Sequence, residues 1–373
     1  MRPPKFSDLT DKTPDGRHQS FVIRDLDVST VNSFRRILLS EMPNAAFVHN
    51  VNVDDATDPS SNVWISVNTS CVNNDILAHR LSMMPLMLTE RQISDGDEFL
   101  FELSAKNSTD AVVTVTTDAF RVSHNGRPVP NVFFPERGAS RCTVVTLRPN
   151  LVPNGAKEEV VIACRSKITT AKASAGYSPL SQASYAFELD PLEVERRRAV
   201  AKDPATFECT EKQRCYVKDE HDEPCAFVFV IESECRQRPT WMFARAIEIL
   251  RAKVTRLRGS FGEISASAKR VAPNLSEYPI HNEDHTLVDF LSSFVVNSEV
   301  REKGGAKITA CGYTQPHVDD NVMILSVRFV SDVPSEHDAA LRDSIDGCVV
   351  HLDEVVRAFL AFAPQARRPE GDR

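Results

Sequence analysis

The sequence predicts an α+β fold: two related α+β units in one chain, accompanied by a mostly β module. Three observations carry this reading. Residues 47–190 are rich in Val, Thr, Phe and turn residues, two later segments repeat apolar residues at heptad spacing, and one helix signature recurs 256 positions along the chain. At 373 residues the chain exceeds one ordinary core and divides into two or three domains.

Taken in order, "QSFVIRDLDV" (19–28) reads as a strand and "TVNSFRRILLSEMPNAAF" (30–47) opens with a helix over 30–41 that stops before Pro43. Val31, Phe34, Ile37 and Leu38 share an arc of about 120°, the width of a core-facing stripe. Arg36 falls opposite that stripe, with Arg35 beside it in sequence and Leu39 about 60° away. The β-rich stretch holds the turn segments "DATDPSSN", "SDGDEF", "SHNGRPVP" and "RPNLVPNGAKEE". One helix interrupts it, "NNDILAHRLSMMPL" (73–86), with an asparagine cap before Asp75.

The charged run "DPLEVERRRAVAKDP" leads out of the β module to the strand "AFVFVIES" and a helix over 240–257. In that helix Phe243, Ile247, Leu250, Val254 and Leu257 are spaced 4, 3, 4, 3. In 338–362, Leu341, Ile345, Cys348, Leu352, Val355 and Phe359 do the same. Each is an a/d seam about two heptads long, suited to packing on another helix. Between them, "RGSFGEISASAKRVAPNLSEYP" (258–279) has the composition of a linker, and "PQARRPEGDR" (364–373) that of a disordered tail.

The repeat sets "STVNSFRRILL" (29–39) over "HTLVDFLSSFV" (285–295). Thr30 matches Thr286, Val31 matches Leu287, Phe34 matches Phe290 and Leu38 matches Phe294, so the apolar arcs coincide. Two units packed through their helices about a pseudo-twofold axis follow from this. The match fails at Arg35 and Arg36, which stand over Leu291 and Ser292; packing shared by both units does not need arginines in one of them. They are expected to be directed outside the chain.

Bulk properties narrow the function. The formal net charge is −8, which argues against gripping nucleic acid directly. Nine scattered cysteines, no N-terminal apolar stretch and no apolar run longer than "CAFVFVI" lead to the expectation of a reducing, intracellular location with no membrane segment.

Several stretches resemble one family. "NSFRRILLSEMP" with "NTSCVNNDILAHRLSMMPL" (68–86) resembles the third-largest subunit of eukaryotic RNA polymerase II, the archaeal D subunit and, more distantly, the N-terminal domain of the bacterial α subunit. "YSPLSQASYAF" (177–187) resembles the segment before that family returns to its dimerisation domain. "HNEDHTLVDFL" (281–291) with "CGYTQPHV" (311–318) resembles the small partner, the eleventh subunit or archaeal L. Both partners in one polypeptide look like the fused subunit of polymerases encoded by large cytoplasmic DNA viruses.

The resemblance implies a first dimerisation domain over 1–47 and 188–258, a β-rich insert over 48–187, a linker over 259–278 and a second dimerisation domain over 279–363. It implies a non-catalytic platform on which the largest and second-largest subunits of a DNA-directed RNA polymerase assemble, together with a small chain like the tenth subunit. One copy per polymerase is expected, with DNA met only through the complex. Location would be a virus factory or virion, or else the nucleus. Arg35, Arg36 and Leu39 would face the large subunits, as would His79 and Arg80 of "LAHRL". Val31, Phe34, Leu38, the heptad residues of both helices and Leu287, Phe290 and Phe294 would form the internal dimer seam.

Family members often carry a cysteine cluster in the insert; "TERQISDGDEFLFELSAKNSTD" has none. Cys209, Cys215, His221 and Cys225 lack a C-x-x-C spacing, so neither metal nor cofactor is expected. The sequence contains no phosphate-binding loop, H-E-x-x-H, G-x-S-x-G or G-x-G-x-x-G pattern. The acid pairs Asp25/Asp27 and Asp95/Asp97 read as a strand end and a turn. A scaffold of the same tandem fold without a polymerase partner, or an independent enzyme of unrecognised type, remain the alternatives at this point.

Overall fold

The computed structural model describes residues 3–48, 62–130, 132–133, 141–149, 155, 157–301 and 306–366. Parts of the turn segments at 55–62 and 148–159, and the expected tail beyond 366, lie outside them. The chain divides into two compact units. One comprises 1–38, 182–232 and 239–367, the other 39–181 and 233–238.

The first unit begins with β1 (Lys5–Asp11) and β2 (His18–Arg24), followed by α1 (Val28–Ser40). Asp27 starts α1 by accepting the Thr30 amide at 3.2 Å on its side chain, and Pro43 lies just beyond the helix end.

The second unit carries β3 (Pro43–Ala46), β4 (Val63–Asn68), α2 (Asn74–Ser82), α3 (Glu90–Asp95), β5 (Phe99–Lys106), β6 (Val113–Thr116), β7 (Arg121–His124), β8 (Arg127–Val129), β9 (Thr143–Leu147), β10 (Glu159–Arg165) and β11 (Lys167–Thr170). Its main sheet has the order β4-β10-β5-β7-β8, with two-stranded pairings β3–β11 and β6–β9. Alternation along β5 buries Phe99, Phe101 and Leu103 in a core with Phe47, Phe120, Phe133 and Leu81. Asn73 caps α2 by accepting from the Asp75 amide at 2.7 Å. Asp95 and Asp97 flank Gly96, whose positive φ of 76° ends α3.

The chain then returns to the first unit through β12 (Leu180–Phe187), the short helices α4 (Pro191–Val200) and α5 (Pro204–Thr206), β13 (Ala226–Ser233) and α6 (Pro239–Gly259). The remainder is α7 (Phe261–Ala266), β14 (Lys269–Ala272), β15 (Leu275–His281), α8 (His285–Val295), β16 (Ile308–Thr314), β17 (Val322–Phe329) and α9 (Pro334–Phe362). The stretch read as a linker is therefore regular: α7 and the β14–β15 pairing fill it, anchored by the buried Phe261.

The two four-stranded sheets of this unit share one plan. Their orders, β1-β2-β13-β12 and β14-β15-β17-β16, are both first-second-fourth-third. In each, the shorter helix (α1 or α8) follows the second strand and the longer one (α6 or α9) follows the fourth. Adjacent strands run antiparallel, with Phe21 opposite Phe229 and Tyr278 opposite Leu325.

Candidate functional site

The long helices α6 and α9 form a seam in the first unit. α6 packs along α9, and Phe243 and Phe359 meet with ring centroids 4.8 Å apart. Around Phe243 stand Phe21 at 4.9 Å, Phe34 at 5.3 Å, Phe229 at 5.2 Å and Phe6 at 6.2 Å, and Phe6 also lies 5.1 Å from Phe359. Val31, Phe34, Leu38, Phe243, Ile247, Leu250, Val254, Leu257, Leu287, Phe290, Phe294, Leu341, Ile345, Leu352 and Phe359 are all buried. Heptad spacing produces this by keeping one helix face continuously against its neighbour.

Polar contacts tie the same elements together. Lys253 of α6 donates to Glu283, just before α8, at 2.8 Å, and both side chains are at most 10% exposed. Ser33 of α1 donates to the Thr286 carbonyl at 3.0 Å, and Ser293 of α8 to the Asp27 carboxylate at 2.8 Å. Asp27 thus serves as a helix cap and acceptor, while Asp25, at a positive φ of 63°, pairs with Lys5 at 3.0 Å. Asp284 caps α8 by accepting from the Thr286 amide at 2.9 Å.

Arg35 and Arg36 are half-buried on the face of α1 away from the apolar stripe, and Leu39 is half-buried too. Arg35 Nε donates to Asn32 Oδ1 at 2.9 Å. Arg36 Nε donates to Thr286 Oγ1 at 2.8 Å. The outward-directed arginine of the sequence reading therefore has a bond within the chain, to the residue that the repeat equates with Thr30. Tyr185 of β12 senses both Arg35 and Asp289: burial and the Asp289 charge raise its pKa, and Arg35 lowers it. Burial raises the pKa of Tyr313 on β16, the Asp289 carboxylate adding to the shift and the charge of Arg36 opposing it. Sequence reasoning singled out Thr286 only as the repeat mate of Thr30, and did not single out Tyr185, Asp289 or Tyr313.

In the second unit, His79 is exposed on α2, and Arg80 donates from Nη1 to the Val144 carbonyl at 2.8 Å. Ile76 and Met83, three residues before and four after His79, are 57% and 64% exposed. The helix thus presents two apolar side chains on either side of its histidine, a second feature absent from the sequence reading.

Of the sulfur and imidazole donors singled out earlier, Cys215 is buried with Val194 and Phe207, whereas Cys209 and His221 are exposed. Among the described residues no three His, Cys, Asp or Glu side chains gather as a metal site. Burial pushes the Cys311 thiol up to about 11 and Cys348 well above its ordinary value, so neither is a ready thiolate. No helix among the described residues is long and apolar enough to cross a membrane.

The fold and this cluster define a protein-assembly module: paired sheets joined through long helices, with a charged, aromatic-edged surface on α1. Residues 20–254 match the RNA polymerase Rpb3/Rpb11 dimerisation domain, and the chain belongs to that family. It is similar to the RNA polymerases I and III subunit RPAC1 of Saccharomyces cerevisiae, with 24% identity over 295 residues, 65% of this chain and 84% of that one. It is also similar to the RNA polymerases IV and V subunit 3B of Arabidopsis thaliana, at 24% over 302 residues, 67% and 89% of the two chains. With the RNA polymerase II subunit RPB3 of Schizosaccharomyces pombe it shares 30% over 193 residues, 46% and 56%.

Proposed function

We infer that this chain is a non-catalytic assembly subunit of a multisubunit DNA-directed RNA polymerase, the platform on which the two large catalytic subunits associate. The family match over 20–254 carries the reading. Arg35, Arg36 and Leu39 on α1, and His79 and Arg80 on α2, are the proposed contacts with those subunits. The exposed Ile76 and Met83 supply apolar area beside His79.

The finer reading is a fusion: a third-largest-subunit-like part, with its β-rich insert at 48–187, joined to an eleventh-subunit-like part at 279–363. The shared strand order of the two sheets and the α6–α9 packing support it. A viral source, with a virus factory or virion as location, rests on that fusion. A small chain like the tenth subunit completes the proposed set of partners.

Affinity purification of the tagged protein from its native source, with mass spectrometry of what co-elutes, tests the assignment. Two large chains bearing polymerase active-site motifs in equal amounts are expected. Elution alone, or with unrelated proteins, would sink it.

A further inference from the structure

We propose that the ion pairs bordering the α6–α9 seam are its specificity device: Arg251–Asp353 and Arg258–Asp346 direct the basic helix α6 to the acidic helix α9 of the same chain and away from the α6 of a second copy. The proposal stands on the first unit alone and is independent of the polymerase reading.

The apolar seam cannot make this choice. Both helices repeat apolar residues at 4, 3, 4, 3 spacing, and both follow the fourth strand of a sheet with the same strand order, so an α6 from another copy presents a similar stripe. Charge separates them. α6 carries five basic residues against one acidic, and α9 carries six acidic residues against two arginines. A second α6 in the place of α9 would set one positive helix against another.

The geometry joins the two signs in one register. Arg251 holds Asp353 with two nitrogens, Nη2 donating to Oδ2 at 3.3 Å and Nε to Oδ1. Arg258, seven positions on, pairs with Asp346, seven positions back, so the helices run antiparallel with these pairs two turns apart. Beyond α6 the same line continues: Ser265 of α7 donates to Asp338 at 2.6 Å, and the Arg342 guanidinium lies 5.3 Å from the centre of the Phe261 ring. Arg245 pairs with Glu248 inside α6, and Lys253 and Arg256 pair with Glu283. Arg251 and Arg258 supply the contact between the two charged flanks. Both pairs are half-exposed, so each contributes little to stability, and their weight lies in the difference between a right and a wrong partner.

The test uses two full-length variants, Arg251→Glu/Arg258→Glu and Asp346→Arg/Asp353→Arg, unfolded in urea and refolded apart or mixed in equal amounts. Analytical ultracentrifugation reads the molar mass. Within either variant like charges face each other across the seam, whereas in the mixture each reversed helix finds its opposite on the other chain. A 1:1 dimer with exchanged second sheets is expected in the mixture, about tenfold more abundant than dimer in either variant alone, and it is expected to fade at about 1 M salt. All four substitutions in one chain are expected to return a monomer with the unfolding midpoint of the parent chain.

A mixture no more dimeric than the separate variants overturns the proposal. Dimer that persists unchanged at high salt overturns it as well, since apolar exchange and not charge would then choose the partner. If the doubly reversed chains do not refold, the one-pair versions Arg258→Glu and Asp346→Arg carry the same comparison, and a mixture of those no more dimeric than its components is equally decisive against it.

Discussion

Arg36 Nε donates to Thr286 Oγ1 at 2.8 Å, joining two helices whose sequences repeat one another at an offset of 256 positions. The arginine therefore has an intramolecular bond as well as its proposed partner role, and the two can be separated by measurement. Arg36→Ala is expected to lower the unfolding free energy of the chain by about 1.5–3 kcal/mol, the value of one hydrogen bond to a charged group. Urea denaturation reads this. Loss of capture of the large subunits is expected to be greater, about 2–5 kcal/mol, if a charged pair at the interface is broken. A variant that loses stability but binds normally would make the arginine structural alone.

The Lys253–Glu283 pair is the most deeply buried ion pair among those described, at 8% and 10% side-chain exposure. Removing Lys253 leaves the poorly solvated Glu283 carboxylate to the more distant Arg256, at 3.9 Å. Lys253→Met is expected to cost about 3–5 kcal/mol, and the double variant Lys253→Met/Glu283→Gln to recover much of it. Additive losses in a double-mutant cycle would mean that the two side chains act independently.

Phe243 is fully buried and stands among the rings of Phe21, Phe34, Phe229 and Phe359. Phe243→Ala is expected to cost about 3–5 kcal/mol, since the surrounding rings cannot all close on the space left. Phe243→Leu should cost less. Equal effects of the two in thermal unfolding would show that ring packing contributes little beyond its area.

The seam was legible because it is periodic: the 4, 3 spacing from Phe243 to Leu257 and from Leu341 to Phe359 is a local signal of a local geometry. The Asp284 cap is local in the same way, an aspartate standing immediately before the first turn of α8. The bond from Arg36 to Thr286 spans 250 positions, and no local pattern encodes it. The repeat offered a usable clue, because the proposed pseudo-twofold arrangement would set residues of α1 against those of α8. Composition was ambiguous over 258–279: Gly, Ser and Ala suit a short helix and a tight strand pairing as well as a linker, and the contrary signals were the two aromatics, Phe261 and Tyr278, both buried. Ile76 and Met83 were unremarkable in sequence because apolar residues at helical spacing usually point inward.

Stability should depend on pH through His351, which is 8% exposed and whose pKa is lowered by burial, with Asp27 and Glu354 opposing that shift. Its ordinary value is 6.5, so as pH falls through that region the unfolded chain takes up a proton that the folded chain resists. The unfolded state then binds more protons, and stability falls with pH until the lowered native value is passed. His351→Gln is expected to flatten this part of the stability profile in denaturant titrations between neutral and mildly acidic pH. An unchanged slope would place the pH dependence on other groups.

The proposed fusion makes a prediction about concentration. Two dimerisation partners on separate chains dissociate on dilution, whereas partners in one chain meet at an effective concentration on the order of millimolar for a linker that can span the sites. Here the segment between α6 and β15 is short and regular, with Phe261 buried, so the two sheets of the first unit are tethered closely. The protein is expected to sediment as a monomer, with an unfolding midpoint that does not move on a hundredfold dilution. A midpoint that falls on dilution, accompanied by dimers at high concentration, would mean that the helices α6 and α9 pair between chains. Proteolytic cleavage at an exposed residue of 265–269 then separates the two cases further: the cut monomer should acquire the concentration dependence that the intact chain lacks, because the tether is what removes it.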